Sequence, residues 1–240
     1  MNTLLDVHTH TIVSGHAFST LAEMVAEAQR KGLSVLGITE HGPSIPGTCD
    51  LIYFRNIHVV PRRWGSLRLL LGAEVNILNT VGELDMNENY LRRLDLCIAG
   101  IHGACWTPGT PEENTQGMIR AIRNPWVHII SHPGDGTAEL IYEPVVEAAR
   151  EAHTLLEINS SSMRPARHFP AARNNYLEIL RLCKQMQVPV ILGSDAHIAM
   201  DIANYEYCIP LLRETDFPER LVVNTQPDFF FDYLGLTNKP

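Results

Sequence analysis

The 240-residue sequence has no apolar run of 18 residues, no Cys-x-x-Cys pair and no basic stripe. The first absence excludes a membrane-spanning helix, which needs about 18–20 apolar residues to cross a bilayer. The second bears on redox chemistry. Cys49, Cys97, Cys105, Cys183 and Cys208 are scattered and odd in number, so they cannot all pair. This predicts reduced thiols in a cytoplasmic protein. The third bears on partners. Lys and Arg total 19 against 27 Asp and Glu, for a formal net charge of −8. That balance argues against nucleic acid or an anionic membrane as the main partner, because few cations are available to neutralise phosphates. Residues Met1 to Asp6 have neither the basic start nor the apolar stretch of a signal peptide. At 45% hydrophobic residues, the chain is long enough for a core that needs no staples. It reads as a soluble, intracellular chain forming a single domain over residues 1–240.

Lysine is scarce, at positions 31, 184 and 239 only, whereas histidine is abundant, with 11 residues spread along the chain rather than gathered in a tag. Short apolar runs alternate with helical patterns. Strands are expected at 4–7, 35–39, 67–75, 96–101, 127–131, 155–159 and 190–194. These runs are largely continuous, as parallel strands buried on both faces require. Helices are expected at 21–30 behind Thr20, at 87–94, from Pro111 towards Ile122 behind Thr110, at 144–153, at 174–187 and at about 202–213. Strand–helix repetition means α/β with right-handed crossovers. Seven such units suggest a closed or nearly closed barrel, with a doubly wound open sheet as the competing architecture. The segment 43–63 reads as an irregular loop at the barrel mouth. The run 221–233 reads as an edge strand followed by a packing tail.

Chemistry-bearing residues recur at strand ends. His8 and His10 follow the first strand and His41 the second; Glu74 lies near the end of the third. His102 follows the fourth strand, His132 the fifth, and Asp195 and His197 the seventh, while His16 lies in the loop after the first. Only the sixth strand, ending at Asn159, has no His or acid at that place. In a parallel barrel these ends share one rim, where active sites of the fold assemble. Residues two apart on an extended chain point to the same side, so His8/His10 and Asp195/His197 can each offer two ligands. A single His at a strand end is ordinarily a structural residue, and His58, His128, His153 and His168 are read that way. The joint pattern is a metal site for Zn²⁺, Mn²⁺ or Fe. Seven histidines and two acids suffice for two or three ions if a carboxylate bridges, and Glu74 is the natural bridge.

Asp6-Val7-His8-Thr9-His10, His16, Thr39-Glu40-His41, Gly72-Ala73-Glu74, His102, His132 and Gly193-Ser194-Asp195-Ala196-His197 together resemble the PHP (polymerase and histidinol phosphatase) family, most of all its YcdX-like phosphatases. The resemblance covers essentially the whole chain. It implies a distorted seven-stranded (β/α)7, TIM-like barrel with a trinuclear metal centre, most often zinc, with manganese or iron as alternatives. On this sequence, His8, His10, Glu74 and Asp195 would hold one ion; Glu74, His102 and His132 the second; and His16, His41 and His197 the third. The resemblance also implies phosphatase activity and a homotrimer.

Three divalent ions against two carboxylates leave a charge of about +4, which favours an anionic substrate such as a small phosphate ester. The expected reaction is phosphomonoester hydrolysis by a metal-activated water, with no covalent enzyme intermediate. Arg164, after the sixth strand, is the expected phosphate clamp, with Arg167 and His168 as nearby alternatives. Asp6, Glu40 and Asp135 are candidates to orient the imidazoles; Glu40 could instead shuttle a proton. A binuclear amidohydrolase would need a lysine after the fourth strand, where Ala99-Gly100-Ile101-His102 stands, and Schiff-base chemistry lacks a rim lysine too. A phosphodiesterase or nuclease would want a basic track, and only the short Arg55, Arg62, Arg63 and Arg68 cluster is available. A non-catalytic metal-binding barrel is the remaining alternative. It would complete the ligation with protein side chains, whereas nine side chains around three ions leave coordination positions open.

Overall fold

The computed structural model describes residues 1–236. Seven parallel strands form a nearly closed barrel: β1 (Leu5–Asp6), β2 (Val35–His41), β4 (Leu67–Asn76), β5 (Leu96–Gly100), β6 (Ile129–Ile130), β7 (Leu155–Asn159) and β8 (Val190–Gly193). They follow one another in chain order, so every crossover joins neighbours. A two-residue strand, β3 (Arg63–Trp64), pairs antiparallel with the start of β4, at the end of the segment expected to be irregular.

Alternation along the strands sorts the side chains. Leu70, Ile98, Leu155 and Ile191 pack in the barrel interior, while their neighbours Leu69, Leu71, Cys97, Ala99, Leu156 and Leu192 pack outwards against the helices. Glu74 and Glu157 share the parity of Leu70 and Leu155, so both point inwards, above an apolar floor. The outer layer consists of α1 (Leu21–Arg30), α2 (Ile52–Asn56), α3 (Glu88–Leu91), α4 (Pro111–Ile122), α5 (Tyr142–Ala152), α6 (Ala172–Met186) and α7 (Cys208–Glu214). Thr20 and Thr110 each close a capping box with the glutamate three residues on, and these two helices start where the sequence predicts. The helix expected from Ile202 instead begins at Cys208, after a 3₁₀ turn over Ala199–Asp201.

The C-terminal run departs from expectation. Residues 221–233 form no edge strand, only a single bridge from Val222 to Val190. Two 3₁₀ turns lead into α8 (Pro227–Tyr233), where Pro227 stands in the first turn that a fixed φ favours. Phe230 and Phe231 of α8 join the interior cluster, and so close the floor. Asn224 stitches the seam between β1 and β8. Its amide donates to the carbonyls of Leu5 at 3.1 Å and Leu192 at 2.9 Å, and its oxygen accepts from Leu192 N at 2.8 Å. Among the described residues, no helix is long and apolar enough to cross a membrane.

Candidate metal centre

The C-terminal strand ends gather His16, His41, Glu74, His102, His132, Asp195 and His197 around one cavity of about 260 Å³, with His8 and His10 buried against Glu74 and Asp195. Glu74 is its centre and is fully buried. Its Oε1 lies 3.3 Å from His8 Nε2, 3.4 Å from His102 Nε2 and 2.9 Å from His132 Nε2. Its Oε2 lies 3.5 Å from His10 Nε2 and 2.9 Å from His41 Nδ1. Asp195 Oδ1 stands 3.6 Å from His8 Nε2 and 3.5 Å from His10 Nε2. His197 Nε2 faces His16 Nε2 at 3.0 Å, and the His16 and His41 rings stack with centroids 4.9 Å apart.

Buried donors and acceptors normally find partners. Here His8 Nε2, His10 Nε2, His41 Nδ1, His102 Nδ1 and Glu74 Oε2 are buried without a well-aligned hydrogen bond. Three overlapping sets bring one donor atom per residue within 4.8 Å of one another: His8, His10 and Glu74; His10, His41 and His197; and His41, Glu74 and His102. Imidazole and carboxylate donors at such spacing suit a divalent first-row ion, so the residues present fit a metal site.

The opposite faces of several rings are occupied. His8 Nδ1 lies 2.7 Å from Glu157 Oε1, His132 Nδ1 3.2 Å from Asp135 Oδ2 and His197 Nδ1 3.0 Å from the Asp195 carbonyl. An acceptor at Nδ1 keeps a proton there, so the inward Nε2 is the nitrogen that can give up its proton and bind a metal. His132 and Asp195 take φ of +33° and +52°, a backbone conformation that costs free energy outside glycine and concentrates at functional sites.

Charges in the site lean on one another. Burial disfavours a charged His8, but the Glu157, Glu74 and Asp195 carboxylates outweigh it and hold its pKa well above the ordinary imidazole value. His132 is likewise raised, burial being overcome by Asp135 and Glu74. His10 and His41 are lowered, first by burial. Burial would raise Glu74 and Asp195, yet the surrounding imidazoles, His8 foremost, hold both carboxyls well below the usual range.

Some expected placements change. The Arg164 guanidinium is turned to Asp201, 2.8 Å away, and Arg164 is absent from the residues lining the cavity. Arg167 lines the cavity instead, 3.6 Å from Asp195 Oδ2. Asp6 touches no imidazole: it accepts from Ser194 Oγ and from the main-chain N–H of Ala203 at 2.7 Å, tying β1 to the segments after β8. Burial lifts its carboxyl to about 6. Glu40 is buried against Thr11 and Ser14 and does not line the cavity. Asp135 does reach an imidazole, that of His132. His58, His128, His153 and His168 stay outside the cavity; His128 Nδ1 accepts from Cys97 N at 3.0 Å. The arginine cluster lies outside the cavity: Arg63 pairs with Arg68 across β3 and β4, Arg62 is held by Asp95, and the Arg68 guanidinium stacks 4.0 Å above the Phe231 ring.

Glu157 was not legible as part of the site. It lies in β7, the one strand whose end offers no ligand, and is almost fully buried. The available signal was a lone carboxylate inside Leu155-Leu156-Glu157-Ile158, where an ion should not be buried without partners.

A family model described as the PHP domain matches residues 6–234. A protein named "probable phosphatase" from Caldicellulosiruptor saccharolyticus is 43% identical over 235 residues, covering 98% of this chain and 97% of that protein. Another so named, from Clostridium novyi, is 42% identical over 239 residues, covering 100% and 97%. Among solved structures, the histidinol phosphate phosphatase of Lactococcus lactis, complexed with zinc, L-histidinol and phosphate, superposes with a TM-score of 0.58 at 19% identity, over 90% of this chain and 95% of that one. A putative histidinol phosphatase from Listeria monocytogenes gives a TM-score of 0.61 at 17% identity, over 85% and 99%. At such identities the structural likeness concerns the fold, a distorted (β/α)7 barrel. The whole-chain family match and the two relatives above 40% identity, read with the strand-end cluster, show that this chain belongs to the PHP domain family.

Proposed function

We propose that this chain is a metal-dependent phosphatase that hydrolyses a small phosphate monoester at a trinuclear centre, zinc being the leading metal. The observation that carries the reading is the approach of five imidazoles to within 3.5 Å of Glu74, with buried imidazole nitrogens that make no well-aligned hydrogen bond. His8, His10, Glu74 and Asp195 would hold one ion, Glu74, His102 and His132 a second, and His16, His41 and His197 a third. When bound, such ions supply Lewis acidity and an activated water for attack on phosphorus. The relatives named as phosphatases and the zinc in the Lactococcus lactis protein support this choice of chemistry and metal.

The chain's own residues bind and orient. Arg167 is the side chain suited to grip the phosphoryl oxygens, because a guanidinium pairs bidentately with phosphate and this one already hangs over the cavity. Glu157 and Asp135 hold His8 and His132 in one tautomer, which keeps the donor set in place. Ile45, Ile101 and Phe169 form an apolar wall for the leaving group. A cavity of about 260 Å³ suits a small ester better than a nucleic-acid strand.

A homotrimer, three times the 26.9 kDa chain, is the assembly implied by the resemblance, and sedimentation velocity checks it. A cytoplasmic location fits the buried thiols of Cys183 and Cys208. The function is tested by hydrolysis of p-nitrophenyl phosphate before and after chelation. Loss of turnover on chelation and its return with Zn²⁺ or Mn²⁺ is expected; no turnover under any metal condition would overturn the phosphatase reading.

A further inference from the structure

Glu40 and Ser14 are fully buried beside the cluster, yet neither lines the cavity. Thr11 caps the 3₁₀ turn over Ile12–Ser14, which brings Ser14 back under His10 four residues earlier. The turn ends on Gly15 at φ +83°, where a Cβ would fall 2.0 Å from the Gly47 carbonyl oxygen, so the loop geometry is closely fixed. Glu40 Oε1 accepts from Thr11 Oγ1 at 2.5 Å, and Oε2 from Thr11 N at 3.1 Å and Ser14 Oγ at 2.6 Å. Ser14 Oγ has two other neighbours, His41 N at 3.1 Å and His10 Nδ1 at 3.1 Å.

A hydroxyl offers one proton and two lone pairs. The main-chain N–H of His41 can only donate, and an ionised Glu40 can only accept. The Ser14 proton therefore goes to Glu40, and one lone pair goes to His41. The other lone pair faces His10 Nδ1, which must then carry the proton itself. The reverse arrangement, with Ser14 donating to His10, would leave Glu40 Oε2 with Thr11 N–H alone and move the His10 proton to Nε2.

We infer that Ser14, held by Glu40, is a positioning residue that fixes His10 as its Nδ1–H tautomer and so turns an unprotonated Nε2 towards Glu74 and Asp195. Glu40 thus acts on the donor set at one remove, rather than as a proton carrier. The tautomer follows from the hydrogen bonds around an ionised Glu40, both of whose oxygens accept from Thr11; only its consequence for metal affinity rests on the metal-dependent reading above.

The test is a long-range proton–nitrogen-15 correlation spectrum of the metal-free and zinc-loaded protein, with His10 identified from the spectrum of His10→Gln. Burial lifts the Glu40 carboxyl to about 7, so spectra belong near pH 8.5, where it is ionised. The proton is expected on Nδ1 before and after zinc. Ser14→Ala should lose the exchange-protected Nδ1 proton and weaken zinc binding about 10–100-fold in competition with a chelator. Glu40→Gln, whose amide oxygen still takes the Ser14 proton, should retain the tautomer and bind zinc within about threefold of the parent. A His10 proton on Nε2 in the metal-free parent overturns the inference, whatever becomes of the variants. So does a folded Ser14→Ala variant with unchanged tautomer and zinc affinity, the result expected if Ser14 merely braces the loop. A parent that carries the Nδ1 proton but takes up no zinc supports the tautomer and overturns the metal centre.

Discussion

Replacing Glu157 by Gln changes one atom and probes how the site is held. Three donors converge on this carboxylate: His8 Nδ1 at 2.7 Å on Oε1, and His132 N at 2.7 Å with Asn159 Nδ2 at 3.1 Å on Oε2. The Asn159 amide cannot turn to help, because its oxygen accepts from Ser162 N at 2.7 Å and Ser162 Oγ at 3.0 Å. An amide has one acceptor oxygen where the carboxylate has two. With its NH₂ towards His132 and Asn159, the introduced amide loses two hydrogen bonds, and each buried donor left unmet costs about 1–3 kcal/mol. With its NH₂ towards His8, one bond is lost unless the ring shifts its proton to Nε2, the atom that faces Glu74. The second arrangement is cheaper in stability and sacrifices metal affinity. Glu157→Gln is therefore expected to lower stability by about 1–3 kcal/mol and zinc affinity by about 10–100-fold. Urea denaturation without metal and zinc titration against a competing chelator measure the two effects. Stability within about 0.5 kcal/mol of the parent together with unchanged zinc affinity would refute the reasoning.

Three further outcomes follow from the same geometry. A Cβ at position 193 would lie 1.6 Å from Glu157 Oε1, so Gly193→Ala should destabilise by at least about 2 kcal/mol and weaken zinc binding, measured by the same two assays. His8 and His132 have raised folded pKa values, so in the metal-free protein their stabilising charge is fully present below the unfolded value of 6.5 and is lost as pH climbs through the higher folded values. Zinc must displace those protons, so its apparent affinity should rise by about tenfold per pH unit for each proton released, as calorimetry in buffers of different ionisation enthalpy would show. Arg167→Ala should raise KM for p-nitrophenyl phosphate about tenfold, whereas Arg164→Ala, which removes only the half-exposed pair with Asp201, should leave KM within about twofold.

Much of the barrel was legible because its signals are local. The β7 span, the Thr20 cap of α1 and the Thr110-Pro111 start of α4 depend on residues within a few positions of one another. Strand ends carrying His and acid were equally plain, since a parallel barrel brings such ends to one rim whatever the loops do. What failed to show is long-range. Leu221-Val222-Val223 has strand composition, but Asn224 is drawn into the β1–β8 seam and Pro227 starts a helix. Arg164 and Arg167 share one loop, and only the position of Asp201, 37 residues beyond Arg164, separates a structural guanidinium from one over the cavity. Asp6 and Asp135 look alike as acids near rim histidines, yet one meets Ser194 and the other His132. Sequence patterns identify what a rim can offer; partner choice two layers out depends on packing across the barrel.

The central claim is that Glu74 bridges a cluster of ions rather than serving as a structural acid. Elemental analysis of the purified, tag-free protein tests it most directly, with Glu74→Gln measured beside the parent. About three metal equivalents per chain are expected in the parent and at most one in the variant, which retains only the His16, His41 and His197 site. Full metal occupancy in Glu74→Gln, or a parent that holds no metal after incubation with Zn²⁺ or Mn²⁺, would contradict it.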